Sequence, residues 1–103
     1  GMSGEIIKKK DLEFNEFIEF SSDNRFVKRR VYPDSTSIAQ GSYLLKQSED
    51  SKYLELEYEE KSYLIQNCSS SLKEHMSVLN NKELFNGGYL PCDGPGFGYR
   101  LAN

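Results

Sequence analysis

From Phe14 onward the chain alternates apolar and polar residues with a period of two, the pattern of strands that bury one face. Phe14, Ile18 and Phe20 share one parity, and Ser21, Ser22, Asp23 and Asn24 then supply the side-chain hydrogen bonds that favour a turn. A second strand from about Arg25 to Tyr32 completes a hairpin. After the polar loop Pro33 to Ser37, a third strand runs from Ser42 to Gln47 with Tyr43 and Leu45 on one face. Tyr53 to Glu59 is the clearest strand: Leu54, Leu56 and Tyr58 point one way while Glu55, Glu57 and Glu59 point the other. A fifth strand is expected over Ser62 to Asn67, a sixth over Glu74 to Leu79 and a last one over Phe97 to Leu101. Cys68 to Lys73 reads as a loop, and Asn86, Gly87 and Gly88 as a tight-turn signal. Successive strands joined by short polar turns predict an all-β fold, an antiparallel up-and-down meander of six to seven strands. Residues 5 to 13 are mostly charged and read as a mobile lead-in or a short edge segment.

Composition sharpens this picture. A chain of 103 residues with 37% hydrophobic and 13% aromatic content supports one domain around one core. Its 7 Tyr and 6 Phe, with no Trp, are a sheet-favouring mixture. The net charge of −3 argues against a polyanion partner, since Lys8, Lys9 and Lys10 and the run Lys28, Arg29, Arg30 are two separate small clusters. No nucleic-acid binding is expected, and no apolar run is long enough to span a bilayer. Ile6 and Ile7 run straight into three lysines, which is not a signal-peptide pattern. Gly1 ahead of Met2 reads as an expression remnant, which leaves a natural leader open. Cys68 and Cys92 could form one disulfide in an oxidising compartment or remain two thiols in the cytosol.

The stretches FIEFSSDNRFVKRRV, GSYLL, YLELEYEEKSYLI and CDGPGFGYRL, in that order, resemble the small lipocalin-like domains of bacterial cell-envelope proteins. The resemblance covers residues 14 to 102 and rests most on the segment Cys92 to Phe97. It implies a single lipocalin-like β domain over 14–103 preceded by a lead-in over 1–13, and it favours an exported envelope location, or the cytoplasm if Met2 is the native start. The chain departs from the family in lacking the opening strand with its Gly-x-Trp signature, which predicts an open barrel or half-barrel.

Few residues point to chemistry. Gly94, Gly96 and Gly98 look superficially like a phosphate-cradling loop, but that mechanism needs a following helix N-terminus and only five residues remain. Cys92, His75 and Asp93 could form a nucleophile, base and orienting acid, yet a thiolate needs an activating neighbour, and a structural cysteine is the simpler reading. Cys68, His75 and Cys92 match no close-paired zinc spacing. Glu55, Glu57, Glu59 and Glu60 read as a solvated outer face rather than paired catalytic carboxylates. No catalytic residue, metal or cofactor is assigned, and an enzyme is not expected.

The second strand is different. One parity holds Val27, Arg29 and Val31 and the other Phe26, Lys28, Arg30 and Tyr32, so either face turned inward carries a cation. An inward cation needs a partner: Glu16, an anionic ligand head group, or water at the rim. The leading expectation is a binding module for a small hydrophobic or amphipathic molecule, lined by Phe20, Tyr43, Leu45, Leu54, Leu56, Tyr58 and Tyr99 and anchored by Arg29 or Arg30. The competing one is a protein-interaction or structural β domain of the envelope with no ligand. Open sheet edges around Phe14 to Phe20 and Phe97 to Leu101 further predict a homodimer formed through them.

Overall fold

The computed structural model describes residues 2–6, 14–88, 90–92, 94 and 96–101. The strands are β1 (Met2–Ile6), β2 (Asn15–Phe20), β3 (Arg25–Val31), β4 (Thr36–Gln47), β5 (Lys52–Tyr58), β6 (Lys73–Asn80), β7 (Glu83–Asn86) and β8 (Phe97–Leu101). The architecture is all-β, antiparallel and up-and-down, as the alternation predicts. Among the described residues the only helical element is a single 3-10 turn at Leu90–Cys92, so no helix is long and apolar enough to cross a membrane.

The seven strands from β2 to β8 form the expected curled meander, and β1 adds an eighth that closes it into a barrel. β1 pairs antiparallel with β2, from Met2 opposite Phe20 to Glu5 opposite Phe17. It also pairs with β8, from Gly4 opposite Leu101 to Ile6 opposite Tyr99. An opening strand is therefore present without the Trp signature, and the edges on which the homodimer expectation rested are paired within one chain. Of the lead-in expected over 1–13, residues 7–13 lie outside the described residues.

One local reading is corrected, and β7 is a strand that the alternation does not announce. Ser62 to Asn67 is not a strand: it belongs to the long β5–β6 connection, where Leu64, Ile65 and Gln66 are buried. Apolar residues there signal burial rather than pairing, because the segment plugs one end of the barrel instead of joining its wall. The hairpin turn of this region sits at Asn81–Lys82, between β6 and β7, and the β7 strand over Glu83–Asn86 ends where the Asn86-Gly87-Gly88 turn begins. There the Gly88 N–H donates to the Asn86 side-chain oxygen at 2.9 Å.

Burial follows strict alternation where the strands are best defined. Glu16, Ile18 and Phe20 on β2, Phe26, Lys28 and Arg30 on β3, and Leu54, Leu56 and Tyr58 on β5 all face inward. The β2–β3 turn brings Asn24 to φ 63°, a left-handed conformation that Asn tolerates better than most residues.

Midway along the 12-residue β4, Gly41 lies opposite Phe26 on one side and Tyr58 on the other. Phe26 and Tyr58 meet edge to face, with ring centroids 4.9 Å apart. A Cβ on Gly41 would collide with the backbone of Glu57 and Tyr58. Close approach of the chain, rather than an unusual dihedral angle, is what requires glycine here. Gly41→Ala is expected to lower stability by roughly 1–3 kcal/mol in urea denaturation, whereas Gln40→Ala on the outer face changes it by less than about 0.5 kcal/mol.

Candidate functional site

The interior divides into a charged half and an apolar half. In the first, Lys28 is fully buried, with its Nζ 2.9 and 3.0 Å from the two carboxylate oxygens of Glu74 and 3.1 Å from the Leu64 carbonyl. Glu74 also accepts from the Tyr58 hydroxyl at 2.8 Å and from the Gln66 backbone N–H. Arg30 forms the second pair: its Nε and a terminal nitrogen each lie 2.7 Å from Glu16 Oε1, and Glu16 Oε2 accepts from the Tyr99 hydroxyl. The Arg30 guanidinium also stacks on Phe14, 4.3 Å from the ring centre.

Each buried charge thus meets an opposite charge and several hydrogen bonds, the condition for tolerating it in a low-dielectric interior. Burial, followed by the Glu74 carboxylate, pushes the Tyr58 phenol well above its usual pKa. Burial and Glu16 do the same for Tyr99. Both hydroxyls therefore stay protonated and serve as donors. For Arg30, burial opposes the charge, but the adjacent Glu16 carboxylate outweighs it and raises the pKa.

The loops at this end complete the seal. Ile65 packs with the core, and Cys68 in the β5–β6 connection is disulfide-bonded to Cys92 in the β7–β8 connection. Joining two positions separated by 24 residues contributes about 3 kcal/mol on the chain-entropy estimate. The bond also removes Cys92 as a thiol nucleophile, and His75 stands on the outer face beside Glu55. In the glycine-bearing approach to β8, the Phe85 ring occupies the space that a Cβ on Gly96 would need. The glycine therefore serves packing.

The opposite end, where the β2–β3, β4–β5 and β6–β7 hairpins turn, carries a cavity of about 480 Å³. Its wall includes Phe20, Tyr43, Leu54, Val78, Leu84 and Tyr99. Five of the residues expected to line a site, Phe20, Tyr43, Leu45, Leu54 and Tyr99, come together here, with Leu45 well exposed near the mouth. Leu56 and Tyr58 are buried outside the cavity lining. Arg30 belongs to the charged half, paired with Glu16 as one of the sequence readings has it. Arg29 lies on the other parity of β3, away from the interior.

Val78 and Leu84 also line the cavity, although the sequence pattern does not mark them as lining. They face each other across β6 and β7, and Leu84 lies in a strand of only 4 residues, too short to display alternation. A period-two extension from Met76 to Val78 was the one available signal. Comparison of the chain with protein-family models, curated proteins and solved structures finds no match.

Outside the barrel, Glu55 lies 2.8 Å from Lys46, 3.3 Å from Lys73 and 3.5 Å from His75. The hydrogen bond from Lys46, with further help from Lys73, lowers the Glu55 pKa to about 2 against a burial effect in the other direction.

Lys28→Met strands the Glu74 carboxylate and is expected to cost about 3–5 kcal/mol in urea denaturation, whereas Lys28→Met combined with Glu74→Leu costs less, because the buried charge leaves with its partner. For Glu55, a folded pKa below the unfolded value of 4.5 means that its contribution is complete above 4.5 and disappears as pH falls towards about 2. The stability difference between the native protein and Glu55→Gln should therefore vanish over that window and shrink with added salt, as read from melts at a series of pH values.

Proposed function

We propose that this protein is a lipocalin-like binding module that holds a small apolar or amphipathic molecule in the apolar half of its barrel. The observation that carries the reading is the cavity of about 480 Å³ bounded by Phe20, Leu54, Val78, Leu84 and Tyr99 at the hairpin end. Its volume falls within the range of about 300–1,000 Å³ usual for small-molecule sites. An eight-stranded up-and-down barrel is the size that encloses one small ligand, as lipocalins do. The Cys68–Cys92 disulfide fits an oxidising compartment and hence an exported protein.

A structural or protein-interaction domain is the second reading, favoured by the filled and sealed charged half and by exposed Ile38 and Tyr63 on the outer surface. The two diverge in a thermal-shift series with fatty acids and neutral amphiphiles. A ligand present about one hundredfold above its Kd adds about 2.7 kcal/mol to the native state, a rise in Tm on the order of 10 °C. Val78→Trp, which places a large ring in the cavity, should abolish that rise while leaving the unliganded Tm close to the native value. Unchanged melting across the whole panel would leave the structural reading in its place.

A further inference from the structure

Accepting the cavity as a ligand site, we infer that its ligand is an amphiphile with an anionic head group, held tail-inward with the head at the barrel mouth. The wall leaves little choice about depth. Two of its residues carry hydroxyls, and both are committed to protein acceptors: Tyr99 donates to Glu16, and Tyr43 donates to the Ser21 carbonyl at 3.0 Å. The remaining wall at Phe20, Leu54, Val78 and Leu84 is hydrocarbon. A charged or strongly polar group pushed to that depth would lose its water without gaining partners. Polar recognition is thus confined to the rim.

The rim is cationic. Lys52 at the start of β5, Lys82 in the β6–β7 turn and Arg100 on β8 border the cavity, against one carboxylate, Glu83. This reverses the balance of the whole chain, which has 16 acidic and 13 basic residues. Among the described residues Lys52 and Lys82 lie within ion-pair distance of no carboxylate, whereas Lys46 and Lys73 on the outer wall both pair with Glu55; Arg100 stands in register between Glu83 on β7 and Glu5 on β1. Asn80 donates to Glu83 at 3.3 Å, drawing that carboxylate into a contact of its own. Asn24 and Asn81 add neutral hydrogen-bonding groups to the same rim. Lys52 and Lys82, with Arg100 beside them, around an apolar opening match an anionic head above an aliphatic tail.

The test compares decanoate, decanol and decylammonium, three head groups on one tail, by titration calorimetry below their aggregation limits. Decanoate is expected to bind about tenfold or more tightly than the other two. That advantage should shrink on raising the salt concentration and disappear in the Lys52→Glu, Lys82→Glu, Arg100→Glu variant, whose fold is checked by its melting curve. The salt arm uses the native protein, so the question is answered even if the triple variant does not fold. Equal affinities for the three compounds, all abolished by Val78→Trp, would overturn the anionic preference and leave the cavity reading intact. Absence of binding by any of them would overturn both.

Discussion

A lysine and an arginine on the inward face of one strand, inside a barrel of eight strands, cannot go without counter-charges. Glu74 and Glu16 reach them from β6 and β2, strands at different places around the wall. Slipping β3 by one residue against either neighbour would turn Lys28 and Arg30 outward, send Arg29 inward and leave two carboxylates buried alone. The pairs thereby fix register in a way that an apolar layer, tolerant of many arrangements, would not. They do so whether or not they add net stability, since desolvation offsets much of their attraction.

The same layer divides the barrel into two chambers with different fates. On one side the long β5–β6 connection enters the barrel end, offers the Leu64 carbonyl and the Gln66 N–H to the Lys28–Glu74 pair, and is tied by Cys68 to the next long connection. On the other side the hairpins are short and reach across nothing. Tyr99 belongs to both chambers: it lines the cavity while its hydroxyl donates to Glu16. The floor of the cavity is held in place by the charged layer beneath it.

Much of this was legible in the sequence because period-two alternation is a local property. Leu54, Leu56 and Tyr58 against Glu55 and Glu57 announced both the strand and its buried face, and the parity of Phe26, Lys28 and Arg30 required an inward cation, with Glu16 named among its partners. What was not legible depends on contacts between distant residues. The role of Glu74 as the counter-charge of Lys28 spans 46 residues of chain. Barrel closure depends on a short strand near the N-terminus meeting the last one; a short edge segment is one of the two readings that the sequence offers there, and a strand of 5 residues is too short to display the alternation that would decide between them. The plug over Leu64 to Gln66 reads as a strand because apolar residues bound for a barrel end look, in sequence, like those bound for its wall.

The asymmetry between the two ends follows from the connections rather than from the strands. The wall strands carry inward residues of both kinds, so nothing in the sheet alone decides which end is filled. The connection over residues 59–72 is long enough to fold back over its end, and its Cys68 is bonded to Cys92 in the next connection. The turns at Ser21–Asn24, Ser48–Ser51 and Asn81–Lys82 are too short to cover theirs. Among the described residues nothing covers the apolar wall at the mouth, which is ringed by side chains that must remain in water. Lys52, Lys82 and Arg100 meet that requirement by themselves, but a ring of polar residues of either sign would have met it equally well. The predominance of one sign at this opening, in a chain with an excess of acidic residues, is the feature that a purely structural barrel does not require.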